Sequence, residues 1–345
     1  MTKKRSILMI YTGGTIGMVK SETDGTLIPL EMNNLYHYIP ILERLPVSID
    51  MHSMEKVIDS SDMDPEFWKE LAGIIENNYL QYDGFVILHG SDTMAYTASV
   101  LSFMLENLNK SVILTGSQLP LGMIRSDGRE NMINAIEIAS AYDDDTPIVP
   151  EVAVCFENKL LRGNRTSKVN AENFDAFLSG NYPVLAEIGV NIRFNRSAIA
   201  RPSFKNLKVH KNLSGRVGIL KLFPGITKEF TRNLLLQEGI DIVILETFGS
   251  GNAPSGSDFV QIISEAIKNG KTLFNVTQCK GGVVEMGKYA ASKQLLDMGV
   301  VSGHDITTEA AIAKAMFLLG QGFTGQQLAS KLEKPLCGEM GRGEK

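Results

Sequence analysis

The sequence predicts an α/β protein of two domains, each a mostly parallel sheet flanked by helices, with the N-terminal domain larger than the C-terminal one. Three observations predict it. Short apolar runs recur, each leading into a small polar loop and then an amphipathic helical stretch, the order of a parallel sheet covered on both faces. That alternation fades between Asn195 and Leu213, around Arg201-Pro202-Ser203, and then restarts. At 345 residues the chain also exceeds the size at which single cores stop growing. The expected division is a domain over 1–195, a linker over 196–213 and a second domain over 214–345.

Taken in order, Ser6-Ile7-Leu8-Met9-Ile10 reads as a buried first strand. Behind it stands Tyr11-Thr12-Gly13-Gly14-Thr15-Ile16-Gly17, where paired glycines let the backbone turn sharply and leave amide N–H groups facing a cleft. Met18 to Leu30 is polar, carries Gly25 and Pro29, and reads as a mobile loop, a lid candidate beside the glycine turn. A short helix is expected over Asn33 to Ile39 and a strand over Val47 to Met54. Asp59-Ser60-Ser61-Asp62 then precedes Asp64-Pro65-Glu66, a helix start with proline near the first position and acid in the first turn.

Phe85-Val86-Ile87-Leu88 is the third strand and runs into His89-Gly90-Ser91-Asp92-Thr93 before a helix over Ala95 to Leu105. One of Ser91, Asp92 and Thr93 is needed to cap that helix, which leaves two unexplained. Val112-Ile113-Leu114 ends in Thr115-Gly116-Ser117-Gln118, and Asp127 opens a helix through Ile138. Glu151 to Phe156 is the fifth strand, followed by a basic segment from Lys159 to Lys168. In the second half, strands are expected over Gly215 to Leu222, Asp241 to Leu245 and Thr272 to Val276. Helices near Thr308 to Leu319 and Thr324 to Leu332 close the chain.

Composition excludes several classes of function. Lys and Arg number 34 against 39 Asp and Glu, a formal charge of −5, so no basic stripe tracks a phosphate backbone and nucleic acid is not an expected partner. No apolar run is long enough to span a bilayer. Lys3-Lys4-Arg5 with the apolar run behind it imitates a signal peptide, but the run is too short and no small-residue cleavage site follows. Cys155, Cys279 and Cys337 are widely spaced and odd in number, which suits a reducing cytoplasm without structural disulfides. The five histidines lack zinc-site spacing, so no metal is expected.

Ligands of parallel sheets bind at the carboxyl ends of strands. Here those ends carry Thr15, Ser60, Ser61, Ser91, Asp92, Thr93 and Ser117, a hydroxyl-rich set suited to a small polar ligand. A hydroxyl beside free backbone donors is the minimum for nucleophilic attack on a carbonyl, and Thr15 meets it. As a bland alternative Thr15 merely caps a tight turn. The hydroxyl also needs a base, and Lys168 serves if it lies in the cleft; alone, it reads as a solvated surface lysine. A phosphate-cradling turn is the rival reading, but no G-x-G-x-x-G or Walker A run occurs. Gly249-Ser250-Gly251 does not have the spacing of a serine-hydrolase elbow. A non-catalytic receptor for a sugar or amino acid stays open on these residues.

Five motifs in order resemble the bacterial type I, cytoplasmic L-asparaginases: Thr12-Gly13-Gly14-Thr15-Ile16-Gly17, Asp83 to Met94, Thr115-Gly116-Ser117-Gln118, Arg162-Gly163-Asn164-Arg165 with Lys168, and Gly251-Asn252-Ala253-Pro254. The resemblance implies hydrolysis of L-asparagine to L-aspartate and ammonia without a cofactor. It implies Thr15 as a nucleophile that forms an acyl-enzyme, and Asp59, Ser60 and Ser61 as holders of the substrate's α-amino and carboxylate groups. Ser91, Asp92 and Lys168 form the second catalytic set, with Asp92 on the α-amino group and Lys168 behind the hydroxyl. Amides of the Ser91 loop supply oxyanion stabilisation. A homodimer or homotetramer is implied, with the site at a subunit interface and Asn252 reaching across. A glutaminase or broader amidase is the alternative within enzymes, and an amino-acid-binding protein the one outside them.

Three positions depart from that family's pattern. Ser91 stands where threonine is usual and loses the methyl that restricts the rotamer. The lid segment Met18 to Leu30 has no tyrosine, and Leu27 takes its place. Glu246 stands near the position of a regulatory arginine in some relatives, so no allosteric asparagine site is expected here.

Overall fold

The computed structural model describes residues 4–20, 27–29 and 35–341. The chain divides into two compact units, Met1–Lys211 and Asn212–Lys345. Of the segment expected as a linker, residues 196–211 fall in the first unit. They are tied there by Lys208–Val209, which pairs antiparallel with Leu105–Glu106, and by Asn109 Oδ1, which accepts the amides of Ser203 and Phe204 at 2.8 and 3.0 Å.

The first unit holds an eight-stranded sheet. Its strands are β1 (Arg5–Tyr11), β2 (Val47–Ser53), β3 (Gly84–Leu88), β4 (Ser111–Thr115), β5 (Val152–Phe156), β6 (Lys159–Arg162), β7 (Ala186–Ile188) and β8 (Ile192–Phe194). Their order across the sheet is β8-β7-β6-β5-β4-β3-β1-β2. The stretch from β5 to β2 is parallel throughout, while β6, β7 and β8 extend it antiparallel. The parallel strands are buried on both faces, which is why they read as continuous apolar runs. On one face Ile7, Met9, Val86, Leu88, Ile113 and Ala153 pack with Met132, Ala135 and Ile136 of helix α3. The alternate residues Leu8, Ile10, Phe85, Ile87, Val112 and Leu114 are equally buried.

The longer helices of this unit are α1 (Pro65–Asn78), α2 (Met94–Met104) and α3 (Gly128–Ala139). Asp64 caps α1 as its sequence predicts, accepting the amide of Phe67 at 2.9 Å. The expected side-chain cap of α2 is absent: Thr93 occupies the N-cap position without a side-chain capping bond. Its hydroxyl is committed instead to another loop. Two further expectations are corrected. The polar run after the glycine turn is not loop throughout, because Met18–Lys20 pairs antiparallel with Leu27–Pro29; residues 21–26 and 30 lie outside the described ones. The helix expected over Asn33 to Ile39 is a single turn at Leu35–Tyr38, followed by a 3-10 turn at Pro40–Arg44 where Pro40 breaks the helix; residues 33 and 34 are likewise outside.

The second unit is a four-stranded parallel sheet, β9 (Val217–Lys221), β10 (Ile242–Thr247), β11 (Thr272–Thr277) and β12 (Val301–Ser302), in that order. Helices α4 (Lys228–Leu235), α5 (Ser257–Lys268), α6 (Ala290–Asp297), α7 (Thr308–Gly320) and α8 (Gly325–Leu332) complete it. Leu220, Val243, Leu245 and Leu273 pack with Leu235, Phe259, Ile262 and Ile263 in its core. Lys314 on α7 and Glu339 near the C-terminus form an ion pair at 2.7 Å with both side chains fully buried. Cys155 is a buried thiol and Cys279 and Cys337 are exposed ones. Among the described residues no helix is long and apolar enough to cross a membrane.

Candidate active site

The site is built at the carboxyl ends of β1 and β3. Register fixes their common level, since Tyr11 stands opposite Leu88 and Leu88 opposite Thr115. The turn leaving β1 depends on two glycines with positive φ, Gly13 at +126° and Gly14 at +86°. A Cβ on Gly14 would lie 2.4 Å from the Cα of Gly90, and one on Gly13 2.0 Å from the Ile58 carbonyl oxygen. Both obstacles are backbone, so only glycine fits. The 3-10 turn Thr15–Gly17 follows, and the Tyr11 hydroxyl donates to the Gly17 carbonyl at 3.2 Å. Burial pushes the Tyr11 phenol up to about 12, keeping it a neutral donor. Thr15 is half-buried at the mouth of this turn.

A third loop locks onto the other two. A Cβ on Gly90 would lie 2.6 Å from Ser60 Oγ, and Thr93 Oγ1 donates to the Ser60 carbonyl at 2.6 Å. The loops carrying Thr15, Asp59 to Ser61, and Ser91 to Thr93 therefore interlock through contacts too close for a side chain. Asp59 caps the short turn Ser60–Asp62, with Oδ1 accepting the Ser61 amide at 2.9 Å and its hydroxyl at 2.7 Å. These hydrogen bonds, the backbone one foremost, hold the Asp59 carboxyl below the usual carboxylate range. Asp59 and Ser61 are exposed, whereas Ser60 lies buried beneath the Gly90 loop.

Lys168 sits on the strand pair Ser167–Lys168 and Phe177–Leu178. Its Nζ donates to Ser91 Oγ at 2.8 Å and to Asp92 Oδ1 at 2.6 Å. With its side chain 16% exposed, it is not the free surface lysine that its local sequence suggests. The rest of the basic segment is structural. Arg162 is buried against Glu151, with Nε to Oε2 at 2.6 Å, and stacks over the Tyr182 ring at 4.3 Å; Arg165 lies over the same ring at 5.2 Å.

Because Lys168 donates to Ser91 Oγ, the Ser91 proton is free to point elsewhere. It goes to Gln118 Oε1 at 3.3 Å, and Gln118 Nε2 is itself anchored on the Asn173 carbonyl at 2.9 Å. The Asp127 carboxylate fixes this loop by accepting the amides of Gln118 and Leu119 at 3.0 to 3.2 Å. Gln118 thus bonds directly to the candidate site residue Ser91, although the sequence marks it only as part of a motif. Its position directly behind the end of β4 was the available signal.

Asn252 lies in the second unit, in a tight loop after β10 where Phe248 and Asn252 exchange backbone hydrogen bonds at 2.9 Å. Gly249 and Gly251 make that turn with φ of +50° and +104°. Glu246, on β10, is buried and engaged: Thr308 Oγ1 donates to its Oε1 at 2.6 Å, and Lys221 Nζ lies 3.5 Å from its Oε2.

Residues 6–200 match the family model described as Asparaginase, N-terminal. Residues 216–331 match the Glutaminase/Asparaginase C-terminal domain. The chain is 42% identical over 339 residues to L-asparaginase 1 of Escherichia coli (strain K12), covering 98% of each. It is also 42% identical over 365 residues to the 60 kDa lysophospholipase of Mus musculus, covering 99% of this chain and 63% of that protein. Among solved structures, L-asparaginase I from Vibrio cholerae O1 biovar eltor aligns with a TM-score of 0.89 at 41% identity, over 98% of this chain and 100% of that one. The thermostable L-asparaginase from Thermococcus kodakarensis aligns with a TM-score of 0.89 at 29% identity, over 97% and 99%.

Proposed function

This chain belongs to the asparaginase family through both its N-terminal and C-terminal parts, and on that premise we propose that it hydrolyses the side-chain amide of L-asparagine to L-aspartate and ammonia through an acyl ester on Thr15. What carries this reading is the convergence of three loops by glycine contacts, with Lys168 bonded to Ser91 on one of them. Thr15 Oγ attacks the amide carbon, its proton passes to the departing nitrogen, and collapse of the tetrahedral intermediate releases ammonia. Water then cleaves the ester and returns the proton to Thr15. In both steps the Ser91 hydroxyl, bonded to Lys168, is the group assigned to relay the proton of the attacking oxygen. Amides of the Ser91 loop stabilise the oxyanion.

Charges complement the substrate's backbone groups. Asp92 Oδ1 is bonded to Lys168, and its largely exposed carboxylate presents a negative edge to an α-ammonium group. Asp59, Ser60 and Ser61 hold the α-carboxylate end and its neighbours, Ser60 mainly through the backbone it positions. The enzyme works without a cofactor, in the cytoplasm, as a homodimer or homotetramer whose neighbouring subunit contributes Asn252.

The test is turnover of asparagine and glutamine by the purified protein, with ammonia and the amino-acid product both measured. Asparagine is expected to exceed glutamine about 10- to 100-fold in kcat/KM, the range one methylene commands in a fitted pocket. Equal rates would make the protein a broader amidase. Binding with unchanged asparagine would make it a receptor. Lys168→Met should lower kcat about 10²- to 10³-fold, as loss of a group supporting general acid–base catalysis does. Its melting temperature should barely move, because the partner Asp92 is 69% exposed and such pairs contribute little stability. A methionine variant with normal turnover would return Lys168 to the surface.

A further inference from the structure

His89 is a buried titratable group that the reaction above does not use. It is 0% exposed and stands two residues before Ser91. Nδ1 lies 2.7 Å from the Gly90 carbonyl oxygen and Nε2 lies 2.9 Å from Thr97 Oγ1. A carbonyl oxygen only accepts, so Nδ1 must carry the hydrogen. The other side of the ring agrees. Thr97 Oγ1 already accepts the Trp68 indole N–H at 2.9 Å, and an indole only donates, so the Thr97 proton goes to Nε2. The chain from Trp68 through Thr97 and His89 to the Gly90 carbonyl runs in one direction and admits one tautomer. Burial pushes the imidazole down to about 4, so the ring stays neutral at neutral pH.

We propose that His89 is a positioning residue whose Nδ1–H fixes and polarises the Gly90–Ser91 peptide, aiming the Ser91 amide N–H at the carbonyl oxygen of the reacting amide. In a trans peptide the C=O and N–H point in opposite directions, so holding one sets the other. Chained hydrogen bonds also strengthen one another. An aligned, water-free donor is what stabilises an oxyanion as charge develops, at no cost of reorganisation during reaction. Gly90 carries no side chain of its own to restrict the peptide plane, because Ser60 fills the space a Cβ would take. The hydrogen bond from the imidazole supplies a directional restraint on its carbonyl. The proposal rests on the hydrolase reading and deepens it.

The test compares kcat and KM for asparagine in three variants. His89→Ala should lower kcat about 30-fold with KM within about threefold, since the lost interaction matters at the transition state. His89→Asn, whose amide N–H falls where Nδ1–H was, should recover to within about fivefold of wild type. His89→Gln places its amide at the Nε2 position and should not recover. The Asn and Gln pair decides the matter if the alanine variant does not fold. Independently of turnover, ¹⁵N NMR of the wild-type imidazole should show a protonated Nδ1 and an unprotonated Nε2 near neutral pH. Equal loss in Asn and Gln, a KM that rises in step with the fall in kcat, or an Nε2–H tautomer would overturn the proposal. Failure of wild-type protein to release ammonia from asparagine would instead overturn the hydrolase reading and leave the tautomer result standing.

Discussion

Replacing Thr15 with alanine is expected to lower ammonia release from asparagine by about 10⁴-fold or more, the scale seen when a covalent nucleophile is removed. The fold should survive. The turn that carries Thr15 is held by the amide of Thr12 on the Leu88 carbonyl at 3.1 Å and the amide of Gly17 on the Gly14 carbonyl at 3.2 Å. The Tyr11 hydroxyl on Gly17 adds a third tie, and none of these involves the Thr15 side chain. Thr15→Ser keeps the reacting oxygen and should retain measurable turnover. Initial rates and thermal melts of the two variants check both halves. Near-normal turnover in the alanine variant would remove Thr15 from the nucleophile role.

The largest effect on stability is expected in the second unit, at Glu339. Lys314 Nζ donates to the carbonyls of Leu332 and Lys334 at 2.7 Å each and lies 2.7 Å from Glu339 Oε1. The carboxylate in turn accepts the amides of Leu336 and Cys337 at 2.9 to 3.0 Å. Burial pulls the Lys314 amine below its ordinary range, and the Glu339 charge pulls it back. Truncation to Glu339→Ala leaves an uncompensated buried cation and two backbone amides without their acceptor, so a loss of about 3–5 kcal/mol is expected. Urea unfolding followed by far-UV circular dichroism measures it. The chain's single tryptophan, Trp68, lies in the other unit and so reports on that one separately. A loss below about 1 kcal/mol would show the pair to be no stronger than a surface one.

Legibility differed with the kind of burial. The central parallel strands were plain because both faces are apolar, so seven-residue β1 and five-residue β3 and β4 read without alternation. Strands β6 to β8 were missed because they are short and interrupted by polar residues. In the basic segment, Arg162 is buried against the Glu151 carboxylate and the Tyr182 ring, partners its local sequence does not show. Site residues followed the same division. Thr15, Ser91 and Asp92 stand at strand ends, where topology alone marks them. Lys168 comes from a two-residue strand, and only the folded chain brings its amine to Ser91. Asp127 reads as a helix cap, yet its carboxylate makes no capping bond. It holds the Gln118 loop instead.

The place of β1 within its sheet sets the timing of active-site assembly during synthesis. It pairs on one side with Val47–Ser53 and on the other with Gly84–Leu88, and both partners follow it in the chain. The Thr12 amide finds its acceptor at Leu88, and His89 finds its own at Thr115. The chain must therefore be made at least as far as Thr115 before the turn behind β1 and the loop behind β3 both have their backbone partners. Until then the glycines that later permit close approach leave that segment among the most freely moving of the nascent chain.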